Sequence, residues 1–176
     1  MPRLLPTLLL PLLAACSLAA CTQEADKFAP SCPRAAIVRD AADLTRYSAR
    51  GQDLTDLVVD GRITGLTGSC TRDSNRNVVT TVNVGMELSR GPAASGRTVE
   101  LAYFVAVLEG DRILDKRVFP LRAEFPANAD RVRLSGDAIE FPVPTSDKLS
   151  GANYRVLVGF QLSPDELALN RRRGAR

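Results

Sequence analysis

Between residues 78 and 88 every second position is Val, Thr, Met or Leu: Val78, Thr80, Val82, Val84, Met86 and Leu88. After Val79, the positions between them are Thr81, Asn83, Gly85 and Glu87, all small or polar. A helix would scatter such a row around its circumference, whereas a strand sends successive side chains to opposite faces. The row predicts a half-buried strand with one wet face. A chain built on such strands must cover the apolar face with a second layer.

Other segments fit that plan. Tyr154, Val156, Val158, Phe160 and Leu162 alternate in the same way. Residues 99–108 (VELAYFVAVL) are apolar on both parities, the pattern of a central strand covered on both faces. Glu109-Gly110-Asp111 supplies turn chemistry, and residues 113–119 return as a hairpin partner. Residues 57–66, 131–134 and 139–143 are further strands, while Pro120, Pro126, Pro142 and Pro144 suit edges or turns. The expectation is an all-β fold: an antiparallel, immunoglobulin-like β-sandwich of about seven strands. Ser163-Pro164-Asp165-Glu166 combines a capping box with Pro at the first helical position, so a short C-terminal helix should follow. A second short helix is expected over residues 40–47, where Ala41, Leu44 and Tyr47 are spaced by three.

The chain has no His. Ser-His-Asp and Cys-His nucleophiles, His-ligated metals and His general bases are therefore excluded. The formal net charge is only +3, and four of the 23 basic residues sit in the last six positions. A near-neutral body with few aromatics (5%) and no Trp is not a nucleic-acid-binding profile.

Residues 1–20 read MPRLLPTLLLPLLAACSLAA: one basic residue, a short apolar run, then small residues. This is the layout of an export signal, and Pro6 and Pro11 would break a spanning helix. Leu13-Ala14-Ala15-Cys16 and Leu18-Ala19-Ala20-Cys21 each match Leu-small-small-Cys, the lipobox. Here the sequence resembles the bacterial membrane lipoproteins. The resemblance implies cleavage before the Cys, a diacylglycerol thioether on it, and an acylated amino terminus. Ser17 or Thr22, rather than Asp, follows the Cys, which in that family implies the periplasmic face of the outer membrane. The membrane, through the lipid, is then one partner.

The cysteine count favours Cys21 as the lipidated residue, with Cys16 the alternative. With Cys21 modified, Cys16 leaves with the signal, and Cys32 and Cys70 remain to pair. With Cys16 modified, an odd thiol is left in an oxidising compartment. Residues 21–31 read as a tether, residues 32–170 as a single β-sandwich domain, and residues 171–176 as a solvated basic tail.

The remaining motifs are weak. Asp73-Ser74-Asn75-Arg76-Asn77 opens like a calcium loop, but Val78 and Val84 stand where Gly and Glu are needed, so a polar turn is expected. Residues 91–96 lack the Gly-Lys-Ser/Thr ending of a phosphate loop and read as a hairpin connection. Ser146-Asp147-Lys148 is S-x-K rather than S-x-x-K, a solvated turn. Asp53, Asp56 and Asp60, flanked by Arg50 and Arg62, are expected to form surface ion pairs. No catalytic residue, metal site or cofactor is expected. The function expected is binding or assembly support by an anchored envelope protein with an unidentified envelope protein partner. The alternative is a carboxylate enzyme acting on glycan through the Asp53, Asp56 and Asp60 group.

Overall fold

The alternating row becomes the spine of one of two sheets. The computed structural model describes residues 31–174. Within them β4 (Val78–Arg90) buries Val78, Thr80, Val82, Val84, Met86 and Leu88 and leaves the intervening side chains half-exposed. β4 pairs antiparallel with β3 (Leu57–Arg72) along nearly its whole length. β2 (Asp43–Tyr47) continues that sheet beyond β3. On its far side β4 pairs with two short strands in succession, β8 (Ile139–Val143) on its first half and β7 (Arg131–Ser135) on its second.

The other sheet has the order β1-β9-β5-β6, with ranges Arg34–Ile37, Tyr154–Phe160, Thr98–Glu109 and Arg112–Glu124. β5 is paired on both edges, and over Val105–Leu108 both of its faces are buried. β1 runs parallel to β9, and the other pairs are antiparallel. The two inner faces meet over one core that includes Leu44, Met86, Phe125, Phe141, Tyr154 and Phe160. Each such side chain contributes roughly 1.5–3 kcal/mol when taken out of water. The fold is an all-β sandwich, with nine strands among the described residues rather than about seven.

The two additional strands lie at the start. β1 has no alternating pattern and gains its place by backbone pairing with the edge of β9. β2 overturns the helix expected over residues 40–47. Only Arg39–Ala41 forms a turn of 3-10 helix, and the chain then extends. Cross-strand partners decide this: Asp43 accepts from Arg62 at 2.8 Å, and Thr45 donates to Asp60 at 2.9 Å. Those pairs exist only if the backbone of β2 is given to β3, and tertiary contacts of this kind override a spacing of three. The turn Arg39–Ala41 rests on β9 at Gly159, where a Cβ would stand 2.7 Å from the Ala41 methyl.

The connection over residues 91–96 is also not a hairpin. β4 and β5 belong to different sheets, so the segment crosses the sandwich. Its course is set by β3, whose Val58 and Leu57 carbonyls accept from the N–H groups of Gly91 and Ala93, both at 2.9 Å.

The C-terminal helix α1 (Pro164–Arg173) starts where the capping box places it. It extends through the arginine run, because the sandwich holds that run. Asn170 donates to the carbonyls of Asp40 and Asp43 at 2.9 and 2.7 Å, Arg171 pairs with Asp40 at 3.1 Å, and Arg173 donates to the Tyr47 hydroxyl at 2.6 Å. Arg171 to Arg173 are thus the last turn of the helix, with Arg171 bonded to the turn Arg39–Ala41 and Arg173 to β2.

Cys32 and Cys70 are joined, with their Cα atoms 5.7 Å apart. The bond ties the chain just before β1 to the far end of β3. Closing a loop of this size contributes about 4 kcal/mol on the chain-entropy model. Cys70→Ser, or reduction of the native protein, should therefore lower the stability measured by denaturant unfolding by about that amount while leaving the far-ultraviolet strand signal intact. An unchanged unfolding midpoint would show that the bond does not constrain the unfolded chain.

Candidate functional site

Cys16 and Cys21, the two lipidation candidates, lie outside the described residues. The other residues singled out from sequence fall into place as structural parts. Asp73 caps its own turn, accepting from the N–H groups of Asn75 and Asn77, both at 2.8 Å, and from the Asn77 amide at 2.9 Å. Those bonds, the Asn77 side chain first, hold its carboxyl below the usual range. Arg76 takes positive φ in this turn. Ser146–Lys148 lies in an exposed turn closed by the bridge between Ser146 and Leu149.

The acidic group is dispersed over three kinds of structure. Asp53 precedes the 3-10 turn Leu54–Asp56, Asp56 ends it and is buried, and Asp60 lies in β3. Asp56 accepts from Ser48 at 3.4 Å and faces Arg50 at 3.5 Å. Asp60 is bonded to Thr45, and Arg62 turns to Asp43 instead. Asp60 thus ties β2 to β3, and Asp56 holds the loop between them. These carboxylates do not line the cleft beside them, about 530 Å³ between β2, the loop after it and the start of α1, whose acids are Asp165 and Glu166. Glu166 is committed twice over. One oxygen accepts from the Ser163 N–H at 2.8 Å, and the other meets Arg46 at 2.8 Å. Arg46 also donates to the Glu100 carbonyl of β5 at 2.9 Å, so one guanidinium fastens helix and both sheets together. Among the described residues no group of three or more Cys, Asp or Glu is arranged to hold a metal ion.

A second concavity has the chemistry of an interaction site. β6 is the last strand of its sheet, and among the described residues no strand pairs with its outer side. The Ala102 carbonyl accepts from Gln161, on the β9 side. Ala102 and its partner Pro120 are therefore a non-bonded pair, and the nitrogen of Pro120 faces outward. Pro120 interrupts the free edge there, a common protection for an exposed strand. Two and four residues earlier, Val118 and Lys116 present their backbone groups in the same outward direction.

Beside this edge lies a groove of about 470 Å³. Tyr103, Phe119 and Leu121 floor it, and residues 135–140, between β7 and β8, form the opposite wall. Tyr103 stacks on Phe119 with ring centroids 5.3 Å apart. Its hydroxyl reaches to the wall at Gly136, where a Cβ would come within 2.6 Å of it, so a side chain at 136 would close this end. Arg117 spans from β6 to β8, donating to the Glu140 carbonyl at 3.1 Å and lying 4.5 Å over the Phe141 ring. The arrangement offers unpaired backbone groups along one side and an aromatic floor beneath. That is the geometry which receives an extended peptide as an added strand. The sequence reading missed these residues because the floor comes from β5 and β6 and the wall from a distant loop. Only Gly136, in a short polar break, marks the place.

Comparison of the chain with family models, with curated proteins and with solved structures finds no match.

Burial raises the Tyr103 phenol above its ordinary value, and the Asp137 carboxylate raises it further. Burial likewise raises Tyr154, which donates to the Pro144 carbonyl at 2.6 Å. Both phenols lose their protons later in the folded chain than in the unfolded one. Their contribution to stability is complete below pH about 10 and is lost as pH rises through the folded values. Tyr103→Phe should therefore flatten the alkaline loss of thermal stability relative to the native chain. Equal slopes in melts taken from neutral to strongly alkaline pH would contradict this.

Proposed function

We propose that this chain is a lipid-anchored cell-envelope protein whose sandwich binds a partner and supports an assembly, without catalysis of its own. The anchor is the diacylglycerol thioether on Cys21, with Cys16 the alternative, and its place is the periplasmic face of the outer membrane. The lipobox residues support the anchor. The Cys32–Cys70 bond fits an oxidising compartment. The observation that carries the binding reading is the unpaired edge of β6 beside the groove floored by Tyr103 and Phe119. The partner is an envelope protein that contributes an extended segment, its backbone meeting Val118 and Lys116 and its alternate side chains entering the groove.

A photo-crosslinking residue at Asp137, on the exposed groove wall, tests this in intact cells. It should capture a discrete envelope protein that the same residue at Thr67, exposed on β3 and away from the groove lining, does not. Val118→Pro removes an outward N–H without touching the ladder to β5, and should abolish the adduct while leaving the melt close to native. Equal capture at both positions, or an adduct indifferent to Val118→Pro, would contradict strand addition.

A further inference from the structure

The outer faces of the two sheets are built differently. Outside the β2-β3-β4-β7 sheet, acids and bases neutralise one another: Arg62 meets Asp43 at 2.8 Å, and Arg133 meets Glu87 at 2.8 Å with Arg131 at 3.5 Å. Arg133 above all holds the Glu87 carboxyl below its usual range. Outside the β1-β9-β5-β6 sheet, the same alternation presents apolar side chains. Register places Phe104, Ala106 and Leu108 of β5 beside Val118 and Ile113 of β6 and Leu157 of β9, on the face opposite the core. Among the described residues, three of the four exposed large apolar side chains, Ile113, Leu114 and Val118, belong to β6, whereas Ala106 and Leu108 are buried. The turn Arg39–Ala41 covers this face at Gly159 and Phe104, so its exposed part is the strip on β6. An antiparallel sheet normally turns polar side chains to water, and such an exposed apolar strip marks an interaction surface.

Basic and acidic side chains both border this face, and the bases frame the exposed strip of β6. Arg34 and Arg155, partners across β1 and β9, stand at one side, and Lys116 and Arg122 stand on β6. The acids are Glu100, opposite Arg122, Glu124, which follows on the same face of β6, Asp111, which pairs with Arg155 at 3.2 Å, and Asp40, which pairs with Arg171 at 3.1 Å. The Lys116 ammonium lies 4.6 Å from the Phe104 ring centre, its stem laid along the apolar surface. Basic side chains that cover apolar surface with their stems and hold their charge at its rim match the boundary between acyl chains and anionic headgroups.

We infer that the outer face of the β1-β9-β5-β6 sheet lies on an anionic phospholipid surface. Its nearness to the membrane rests on the anchor proposed above. The segment from Cys21 to Arg34 spans at most about 45 Å fully extended, and Arg34 opens β1 in this very sheet. With the face down, Ile113 and Val118 seat among the headgroups. Arg34, Lys116, Arg122 and Arg155 meet phosphate oxygens. The groove at the β6 edge stays open to the side for its partner.

The chain has no Trp, so a single introduced one reports its own surroundings. Ile113→Trp is placed in the mature protein, and Thr81→Trp, on the opposite outer face, is the control. The probe is a vesicle of phosphatidylglycerol and phosphatidylcholine with brominated acyl chains, against phosphatidylcholine alone. The Trp at 113 should be quenched severalfold in anionic vesicles and little in neutral ones, and the Trp at 81 in neither. Adding Lys116→Glu should weaken partition by at least about fivefold, the share of one basic residue near an anionic surface. Equal quenching at both positions, or none at 113, overturns the proposal. A concentration-dependent shift at 113 without bromine quenching overturns it too, and identifies a second copy as the occupant. Detergent-phase partition of membrane-extracted protein reads the anchor separately. An anchored chain unquenched at 113 loses the face and keeps the anchor, and a water-phase chain quenched at 113 does the reverse.

Discussion

Everything in this molecule depends on two inner rows of side chains meeting face to face. One row is Val78 to Leu88 on β4, and the other runs through Leu101 to Val107 of β5 and Tyr154 to Phe160 of β9. A strand of period two has only two faces to dispose of. Once the inner rows are fixed by burial, every outward residue is fixed as well, since a slip of one position would turn each core residue to solvent. The open edge at β6, the ion-paired face and the outer face of the β1-β9-β5-β6 sheet follow from that choice. The disulfide and the Arg46 clamp close the ends of a sandwich whose register the core has set.

How much of this was legible from residues depended on whether a pattern was local. The long strands and the capping box were, because alternation and Ser-x-x-Glu are carried by neighbours in the chain. The pairing of Cys32 with Cys70 followed from counting thiols, and the structure joins them. β1 was not legible, since RAAI alternates in nothing and exists as a strand only through the edge of β9. β2 was misread because Ala41, Leu44 and Tyr47 sit three apart, while the forces that straighten it come from Asp60 and Arg62, more than a dozen residues on. The link over residues 91–96 has turn composition, but composition cannot say whether the next strand returns to the same sheet or to the other. The carboxylate group looked like a cluster in sequence and is dispersed in space, with Asp60 bound to β2 and Asp56 to the loop after it. The groove was invisible because its floor and wall are joined only by folding.

The physical picture that emerges divides the labour among surfaces. A lipid on Cys21 would bring the domain to the membrane. The outer face of the β1-β9-β5-β6 sheet would give it an orientation there. The edge of β6 and its groove, at right angles to that face, are what a partner would meet. Pro120 limits the length of strand that edge can accept, and Arg117 holds the two sides of the groove at a fixed distance.

The anchor is the claim on which this picture stands, and the intact mass of protein purified from membranes tests it most directly. The account predicts a chain beginning at Cys21, carrying acyl mass, and gaining two hydrogens on reduction as the Cys32–Cys70 bond opens. A chain cut after a small residue and bearing no lipid would contradict it, and would make this a freely exported sandwich with no membrane to lie on.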